Sequence, residues 1–215
     1  ALTNPVNTWG EWEWQHATPT GDPENYVETH NVLQTYTYNR AYTVMDETSL
    51  NKFRTPQGLA MIRHLSLNED VMDYITGYFV GDMERTGKYS TLNEARAVAY
   101  GSPEFMGFLS SGIFNSGSPE YMRAFTQAYL ALPALPSTRL NSVTTNNHIV
   151  VRQIQTSDAD FFAIVNTGLN DVANAAITLP YTSLTDAVNG EVIYPENGQF
   201  HIDLWAGQLR SFVSH

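Results

Sequence analysis

The chain has 215 residues, of which 42% are hydrophobic, so it is long and apolar enough to bury the core of one large domain or two small ones. Its formal net charge of −11 argues against a nucleic-acid partner and against an anionic membrane surface, because both attract basic proteins. The chain contains no cysteine, which excludes disulfides and thiolate metal sites, and it has no run of about 18 apolar residues that would span a membrane.

The segment TWGEWEWQH near the start of the chain alternates tryptophan with glutamate. An alternation of period two predicts a strand with one aromatic side and one side that carries Glu11 and Glu13. Two interpretations remain open. Either the tryptophans pack into a core and the glutamates lie in solvent, or the strand ends in a sugar site. In a sugar site an indole stacks on the sugar ring, and a carboxylate acts as acid, base or nucleophile.

Helix-start signals recur in the first half of the chain. The Asp-Pro-Glu sequence at 22–24 combines an N-cap, a proline at the first helical position and an acid at the positive end of the helix dipole. It predicts a helix that reaches about Met45. The Thr-Pro pair at 55–56 predicts a second helix to about Leu65, and the capping box Ser66–Glu69 predicts a third.

The stretch 77–89 places three glycines around a short apolar run that is followed by Asp82, Glu84 and Arg85. It is either a turn with a local arginine–carboxylate pair or a loop that brings charge to a cleft. His64 is predicted to be a hydrogen-bonded core residue, because no second histidine lies at metal-ligand spacing. No metal site and no cofactor are predicted.

Three further helical segments are predicted before residue 131. The capping box Thr-Leu-Asn-Glu begins a helix over 91–100. The tripeptide Ser-Pro-Glu occurs twice, and it begins a short helical piece over 102–109 and a longer helix over 118–130.

The sequence YLALPALPSTRL ends this helical half. Pro133 and Pro136 remove backbone donors, so no helix continues past them. The apolar residues between the two prolines predict a packed strap, because a flexible linker would be rich in glycine and serine. We therefore predict that this segment is a stiff junction between two domains in contact, residues 1–138 and residues 139–215.

The rest of the chain has the two-residue rhythm of strands, with Asn-Gly hairpin turns at 189–190 and 197–198. The fold class is therefore α+β, a helix-rich N-terminal part followed by a small antiparallel β-sandwich. The predicted strands are 148–154, 160–166, 175–179, 185–188, 191–194, 199–204 and 208–213.

This second half resembles the small C-terminal β-sandwich that follows the (β/α) barrel in many bacterial glycoside hydrolases. The resemblance rests on the pair Asn166-Thr167 at a strand end, on the hairpin from Asp186 to Glu191, and on the last strand, Leu209 to Phe212. The first half is similar to the end of such a barrel, of the agarase and porphyranase type. A complete barrel needs about 250 residues and eight strands, so the resemblance implies the C-terminal part of an enzyme whose remaining polypeptide is its partner.

The resemblance implies a glycoside hydrolase that is secreted or periplasmic and acts on a polysaccharide or oligosaccharide. Two carboxyl groups must flank the scissile bond, about 5–5.5 Å apart for retention and about 6.5–9.5 Å apart for inversion. Glu11 and Glu13 would share one strand face, roughly 6–7 Å apart at the backbone. We predict Glu13 as nucleophile or base, with Glu11 as the other candidate on that strand. The partner acid is Asp82 or Glu84, or it lies outside this chain. The predicted substrate-binding residues are Trp9, Trp12, Trp14 and His16.

Two alternatives remain. The first is a non-catalytic carbohydrate-binding module and the second is a structural module; in both, the carboxylates are incidental.

Asp158, Asp160 and Asp171 lie near a predicted turn. They either form a calcium site or are three acids exposed to solvent.

Overall fold

A computed structural model of the chain describes residues 32–35, 60–66, 81–82, 87–110 and 120–214. This part of the chain contains twelve strands, two α-helices and one 3-10 helix, and no helix in it is long and apolar enough to cross a membrane. The chain forms two compact units, one of Ala1–Arg85 with Tyr100–Gly117 and one of Thr86–Ala99 with Ser118–His215. The division after residue 138 that the sequence predicts stays a prediction.

The first unit contains a parallel sheet centred on strand β2. Its strands are β1 (Val32–Thr35), β2 (Ala60–Ser66), β3 (Gly81–Asp82) and β4 (Phe105–Ser110). Strand β2 pairs in parallel with each of the other three. Because Ala60 pairs with both Val32 and Phe105, β1 and β4 lie on opposite sides of β2. The three longer strands therefore follow one another across the sheet in chain order.

A 3-10 helix, Gly87–Thr91, leads into helix α1, Leu92–Gly101, and helix α2 spans Glu120–Leu130. These helices confirm the predictions over 91–100 and 118–130. Ser102 follows α1 with a φ of +46°, a left-handed conformation that ends helices. The Ser102-Pro103 pair therefore ends a helix, and the prediction that it begins one over 102–109 is wrong, because the chain continues as β4.

The helix-rich description of the first half is not confirmed. Strand β1 lies inside the helix predicted from Asp22 to Met45, and β2 occupies most of the helix predicted to Leu65, so both predictions are wrong. The helix predicted after Ser66 lies outside the described residues. Short apolar strands and short helices are hard to distinguish by periodicity alone.

The second unit contains the predicted antiparallel sandwich. Six strands form one sheet in the order β10-β9-β12-β7-β6-β5, and β11 pairs with β8 in a second sheet. The seven predicted strands are confirmed, with ends shifted by a few residues, and β5 is an additional strand. The strands are β5 (Thr138–Leu140), β6 (Ile149–Gln155), β7 (Asp160–Asn166), β8 (Val172–Ile177), β9 (Leu184–Asp186), β10 (Val192–Ile193), β11 (Phe200–Leu204) and β12 (Leu209–Ser214).

One apolar core lies between the two sheets. Strand β11 shows why it forms, since its residues alternate between buried and exposed along Phe200–Leu204. Helix α2 lies against β12 on the other side of the six-stranded sheet. The core side chains include Ile149, Val151, Phe162, Ile164, Ile177, Leu184, Phe200, Ile202, Leu204 and Phe212.

The turn after β10 is the predicted Asn-Gly hairpin. Asn197 and Gly198 have φ of +50° and +81°, and Glu196 and Gln199 exchange both backbone hydrogen bonds across them. Two consecutive positive φ values are the geometry that favours Asn-Gly in two-residue turns.

The proline-containing segment after α2 departs from its prediction. Helix α2 ends at Leu130, three residues before Pro133, as predicted. Leu135, however, is 46% exposed, so the prediction that the residues between the prolines pack is wrong. The segment is instead held at Ser137, as described below.

Candidate functional site

The described structure includes none of the side chains that are predicted to be catalytic or substrate-binding. The backbone of Asp82 lies in β3. The other predicted residues lie outside the described residues: Glu11, Glu13, Glu84, Trp9, Trp12, Trp14 and His16. Their assignment therefore stays a prediction.

The Asn166-Thr167 pair, on which the resemblance rested, fixes a loop. Asn166 is fully buried, and its Nδ2 donates hydrogen bonds to the carbonyl oxygens of Asn170 (2.8 Å) and Trp205 (3.0 Å). Its Oδ1 accepts the N–H of Gly168 (2.9 Å). A buried amide with these partners is structural, and it ties the 166–170 loop to the turn that carries Trp205.

Asp186, the first residue of the quoted hairpin, is also structural. Its Oδ1 accepts the N–H groups of Val188 (2.9 Å) and Asn189 (3.2 Å), which closes the turn after β9. Its Oδ2 accepts Nη2 and Nε of Arg210 at 2.7 and 3.2 Å. Only 5% of Asp186 is exposed, and both oxygens have charged or backbone donors. Asp186 therefore does not resemble a free general acid.

The second unit contains a cleft of about 530 Å³ beside α2 and the ends of β8, β11 and β12. Its side chains come from parts of the chain that are far apart in sequence. The residues that line it include Gln127, Asp171, Ala173, Asp186, Val188, Asn189, Asp203, Trp205, Gln208 and Arg210. The lining thus combines one aromatic side chain with several amides and carboxylates, which offer hydrogen-bond donors and acceptors.

Trp205 is the aromatic residue of the cleft, and its backbone is held on two sides. Its N–H donates to Oε1 of Gln208 (2.9 Å), while its carbonyl oxygen accepts Nδ2 of Asn166 and the N–H of Gln208 (3.1 Å). The indole meets the ring of Tyr121 edge to face, with ring centroids 5.7 Å apart. Trp205 is partly exposed and lines the cleft, so it offers the cleft an aromatic side chain whose backbone is fixed.

The turn beyond Trp205 depends on a glycine. Gly207 has a φ of +75°, and a Cβ there would lie 3.1 Å from backbone atoms of Leu92. Thr91 donates its hydroxyl to the carbonyl oxygen of Gly207 (3.0 Å). A larger residue at 207 would combine backbone strain with a clash, so the start of α1 and this turn are built to lie in contact.

Two exposed carboxylates at the cleft have different surroundings. Asp171 accepts Nζ of Lys88 at 2.7 and 2.8 Å and the N–H of Ala206 at 2.9 Å. The lysine first, and then this backbone donor, lower the pKa of Asp171. Asp203 accepts the N–H of Asn174 on Oδ1 (2.7 Å). Asp171 is thus an ion-pair partner, whereas Asp203 keeps one oxygen for a ligand.

The calcium alternative finds no support in the part of the chain that the structure describes, where no three acidic or histidine side chains form a metal-binding group. Asp160 instead accepts the hydroxyl of Tyr181, and Asp171 pairs with Lys88.

Sequence reasoning missed the cleft, although one signal was available. His201, Asp203 and Trp205 are spaced by two along and just beyond β11, which places all three on the outward side. The other lining residues come from α2, β8 and the turn after β9, and no spacing in the sequence joins them.

Solved structures of glycoside hydrolases are similar to this chain in fold. A GH30 endoxylanase from Clostridium papyrosolvens C71 matches 97% of this chain and 55% of its own, at 16% identity and a TM-score of 0.51. A GH27 β-L-arabinopyranosidase from Geobacillus stearothermophilus, in complex with arabinose, matches 96% of this chain and 48% of its own, at 16% identity and a TM-score of 0.57. An α-amylase from Geobacillus thermoleovorans, complexed with acarbose, matches 89% of this chain and 51% of its own, at 11% identity and a TM-score of 0.51.

No protein-family model matches the chain. No curated protein has a matching sequence. The chain spans about half the length of the solved structures that it matches. At these identities the likeness establishes a glycoside-hydrolase-like fold, and none of the three structures is an agarase or a porphyranase.

Proposed function

We propose that the chain is part of a glycoside hydrolase that acts on a polysaccharide. The observation that carries this proposal is the fold similarity to a xylanase over 97% of the chain, which takes in both compact units. Two of the similar enzymes hold a sugar or a sugar-like inhibitor, arabinose and acarbose. The three longer parallel strands, β1, β2 and β4, lie side by side in the order in which they occur along the chain, which agrees with strands of a (β/α) barrel.

The proposed chemistry uses the tryptophan–glutamate segment. Glu13 acts as nucleophile or base, and Asp82 or Glu84 acts as the partner acid. Trp12 or Trp14 supports the sugar ring. The partner acid needs an apolar surrounding that raises its pKa, so that it carries a proton at neutral pH. We keep the agarase and porphyranase type, and a location outside the cytoplasm, as finer parts of the proposal.

The test is hydrolysis by the full gene product, because one fold hosts many unrelated activities. Xylan, starch, agarose and porphyran are incubated with the wild type, with Glu13→Gln and with Glu196→Gln, an exposed turn residue. New reducing ends are measured. Removal of a catalytic carboxylate should lower turnover by about 100-fold or more, while Glu196→Gln should behave as the wild type. Turnover that is unchanged in Glu13→Gln would contradict the catalytic assignment.

Binding of the same polysaccharides separates the remaining candidates. A wild type that binds a polysaccharide and releases no reducing ends is a carbohydrate-binding module, the function that the Trp205 cleft would favour. A wild type that neither binds nor cleaves any of the four is a structural module.

A further inference from the structure

We propose that the cleft beside Trp205 is a binding site for a neutral oligosaccharide, with the indole of Trp205 as the surface on which one sugar ring stacks. This proposal does not depend on hydrolysis, because it concerns residues of the second compact unit alone. Nothing in the sequence motifs assigned a ligand to this cleft. The size of the cleft, its aromatic side chain, its hydrogen-bonding groups and its charge all fit such a ligand.

The size and the aromatic surface fit a short sugar chain. A cleft of about 530 Å³ falls within the range of roughly 300–1,000 Å³ that ligand sites occupy. An indole offers a flat apolar face to the C–H side of a sugar ring. Trp205 is held in place before a ligand binds, since its backbone N–H donates to Oε1 of Gln208 and its carbonyl oxygen accepts Nδ2 of Asn166. A preordered surface loses little conformational entropy on binding.

Polar groups with spare hydrogen-bonding capacity surround the indole. Among the contacts of the described residues, no hydrogen bond uses Oδ2 of Asp203, Nδ2 of Asn189 or the side-chain amide of Gln127. Together they offer a carboxylate acceptor and amide donors and acceptors. Sugar hydroxyls both donate and accept, so they can satisfy all three.

A β-bulge in β8 helps to orient the side chain of Asp203. Ile202 pairs with Ala175 and Leu204 pairs with Val172, so two residues of β8 lie opposite Asp203 alone. One of the two, Asn174, has a φ of +56° and donates its N–H to Asp203. Bulges beside binding sites redirect side chains, and this hydrogen bond fixes one carboxylate oxygen while the other remains available.

The charge of the cleft selects a neutral ligand. Asp171, Asp186 and Asp203 line it. Asp171 is paired with Lys88, and Asp186 is paired with Arg210, the one cation among the described lining residues, so the charge of Asp203 remains. A uronate or a sulfated sugar would meet net negative charge here, in a chain whose net charge is −11. A neutral oligosaccharide avoids that repulsion.

The test titrates the full chain with xylohexaose and with maltohexaose and observes its four tryptophan indole N–H signals by NMR. The Trp205 signal is assigned by its disappearance in Trp205→Phe. At least one of the two oligosaccharides should shift it in a saturable way, and trigalacturonate should not. Trp205→Ala should weaken binding about tenfold or more, as truncation of a central aromatic does, and Gln127→Ala should weaken it a few-fold. Tyr194→Ala, the matched loss of an exposed aromatic outside the cleft, should have no effect.

Three results would overturn the proposal. Neither hexasaccharide binds, or binding shifts only the other three indole signals, or Gln127→Ala and Trp205→Ala both bind as the wild type does. Gln127 is exposed on α2, so its substitution tests the cleft even if Trp205→Ala fails to fold. A chain that cleaves a polysaccharide while the Trp205 signal stays unchanged overturns this proposal and leaves the proposed function standing. A Trp205 response without cleavage supports this proposal and counts against the hydrolase.

Discussion

The six-stranded sheet is buried on both faces, but the face toward the helices combines apolar side chains such as Val150 with buried polar groups. Toward the two-stranded sheet it buries large apolar side chains, among them Phe162 and Phe212, which are fully inaccessible. Toward the helices it places polar groups, including Arg152 and Ser211, which are 5% and 1% exposed. The first face gains its stability from non-directional apolar burial. The second adds directional hydrogen bonds, which fix where the helices lie.

The polar face satisfies backbone groups that a helix leaves unpaired. Arg152 donates from Nη1 to the carbonyl oxygen of Ala99 (2.9 Å), in the last turn of α1. Ser211 donates to the carbonyl oxygen of Ala128 (2.6 Å), in the last turn of α2. The final carbonyls of a helix have no partner within it, and a cation there also meets the negative end of the dipole. The sheet thus acts as the C-terminal cap of both helices.

The largest effect is expected on the apolar face. Phe200 is fully buried between the two sheets, so Phe200→Ala should lower the free energy of unfolding by about 3–5 kcal/mol through lost burial and the cavity left behind. Urea unfolding followed by circular dichroism measures this. Val192→Ala, at a position that is 45% exposed, is the control and should change stability by less than about 0.5 kcal/mol. Equal losses in the two variants would mean that the core does not dominate.

Substitution of Arg152, on the face toward the helices, is expected to lower the free energy of unfolding by a smaller amount. Arg152 also donates from Nε to the hydroxyl of Ser137 (2.7 Å) and from Nη2 to the carbonyl oxygen of that residue (3.0 Å). Arg152→Met should cost about 1.5–3 kcal/mol, because it leaves the buried carbonyl oxygen of Ala99 without its donor and removes both hydrogen bonds to Ser137. Arg152→Lys should not restore the loss, since an ammonium lacks the planar fork that reaches both partners.

The same urea experiment on Arg139→Met, an exposed arginine of β5, supplies the control. A loss in Arg152→Met as large as that in Phe200→Ala would erase the difference between the two faces. A loss no larger than that in Arg139→Met would show that the hydrogen bonds of Arg152 make no net contribution to stability.

The sandwich was predictable from the sequence because its signals are local. Strand β11 alternates buried and exposed side chains, and Asn197-Gly198 has the positive φ values that its turn requires. The parallel strands gave conflicting signals. Leu59, Ile62 and Leu65 are three residues apart, a helical spacing, although 60–66 forms a strand. Parallel strands read as short apolar runs without alternation, so helix-start signals nearby decided the prediction wrongly.

The candidate site was likewise predictable only as far as its signals were local. Asn166 and Asp186 were visible as motif residues, but their roles became clear only from their partners, which are distant in the chain. The Trp205 cleft depends on α2, β8 and β11 meeting at one place, and periodicity within one element cannot show that. The tryptophan–glutamate segment lies outside the described residues, so its prediction stays open.

Tyr181 combines apolar packing with hydrogen bonding. The ring of Tyr181 packs edge to face on Phe162, with centroids 5.2 Å apart. Its hydroxyl donates to Asp160 and accepts Nε2 of Gln153 (3.2 Å). Desolvation first, and then the hydrogen bond to the Asp160 carboxylate, raise the pKa of Tyr181 to about 12, from 10.0. The folded protein therefore keeps this proton at a pH where the unfolded chain loses it.

The sign of the pH dependence follows from that difference. A group whose pKa is raised by folding contributes stability that is fully present below the unfolded pKa, here 10.0, and is lost as the pH rises toward about 12. Tyr181→Phe should lower the free energy of unfolding by about 0.5–1.5 kcal/mol at pH 8. Between pH 10 and 12 the gap between wild type and variant should narrow, because only the wild type loses the Tyr181 contribution; urea unfolding at each pH measures it. Tyr194→Phe, in which the exposed hydroxyl is removed, should track the wild type throughout. A gap that widens with pH would mean that the hydroxyl is better placed as a phenolate, and would reverse the assignment of Asp160 as its acceptor.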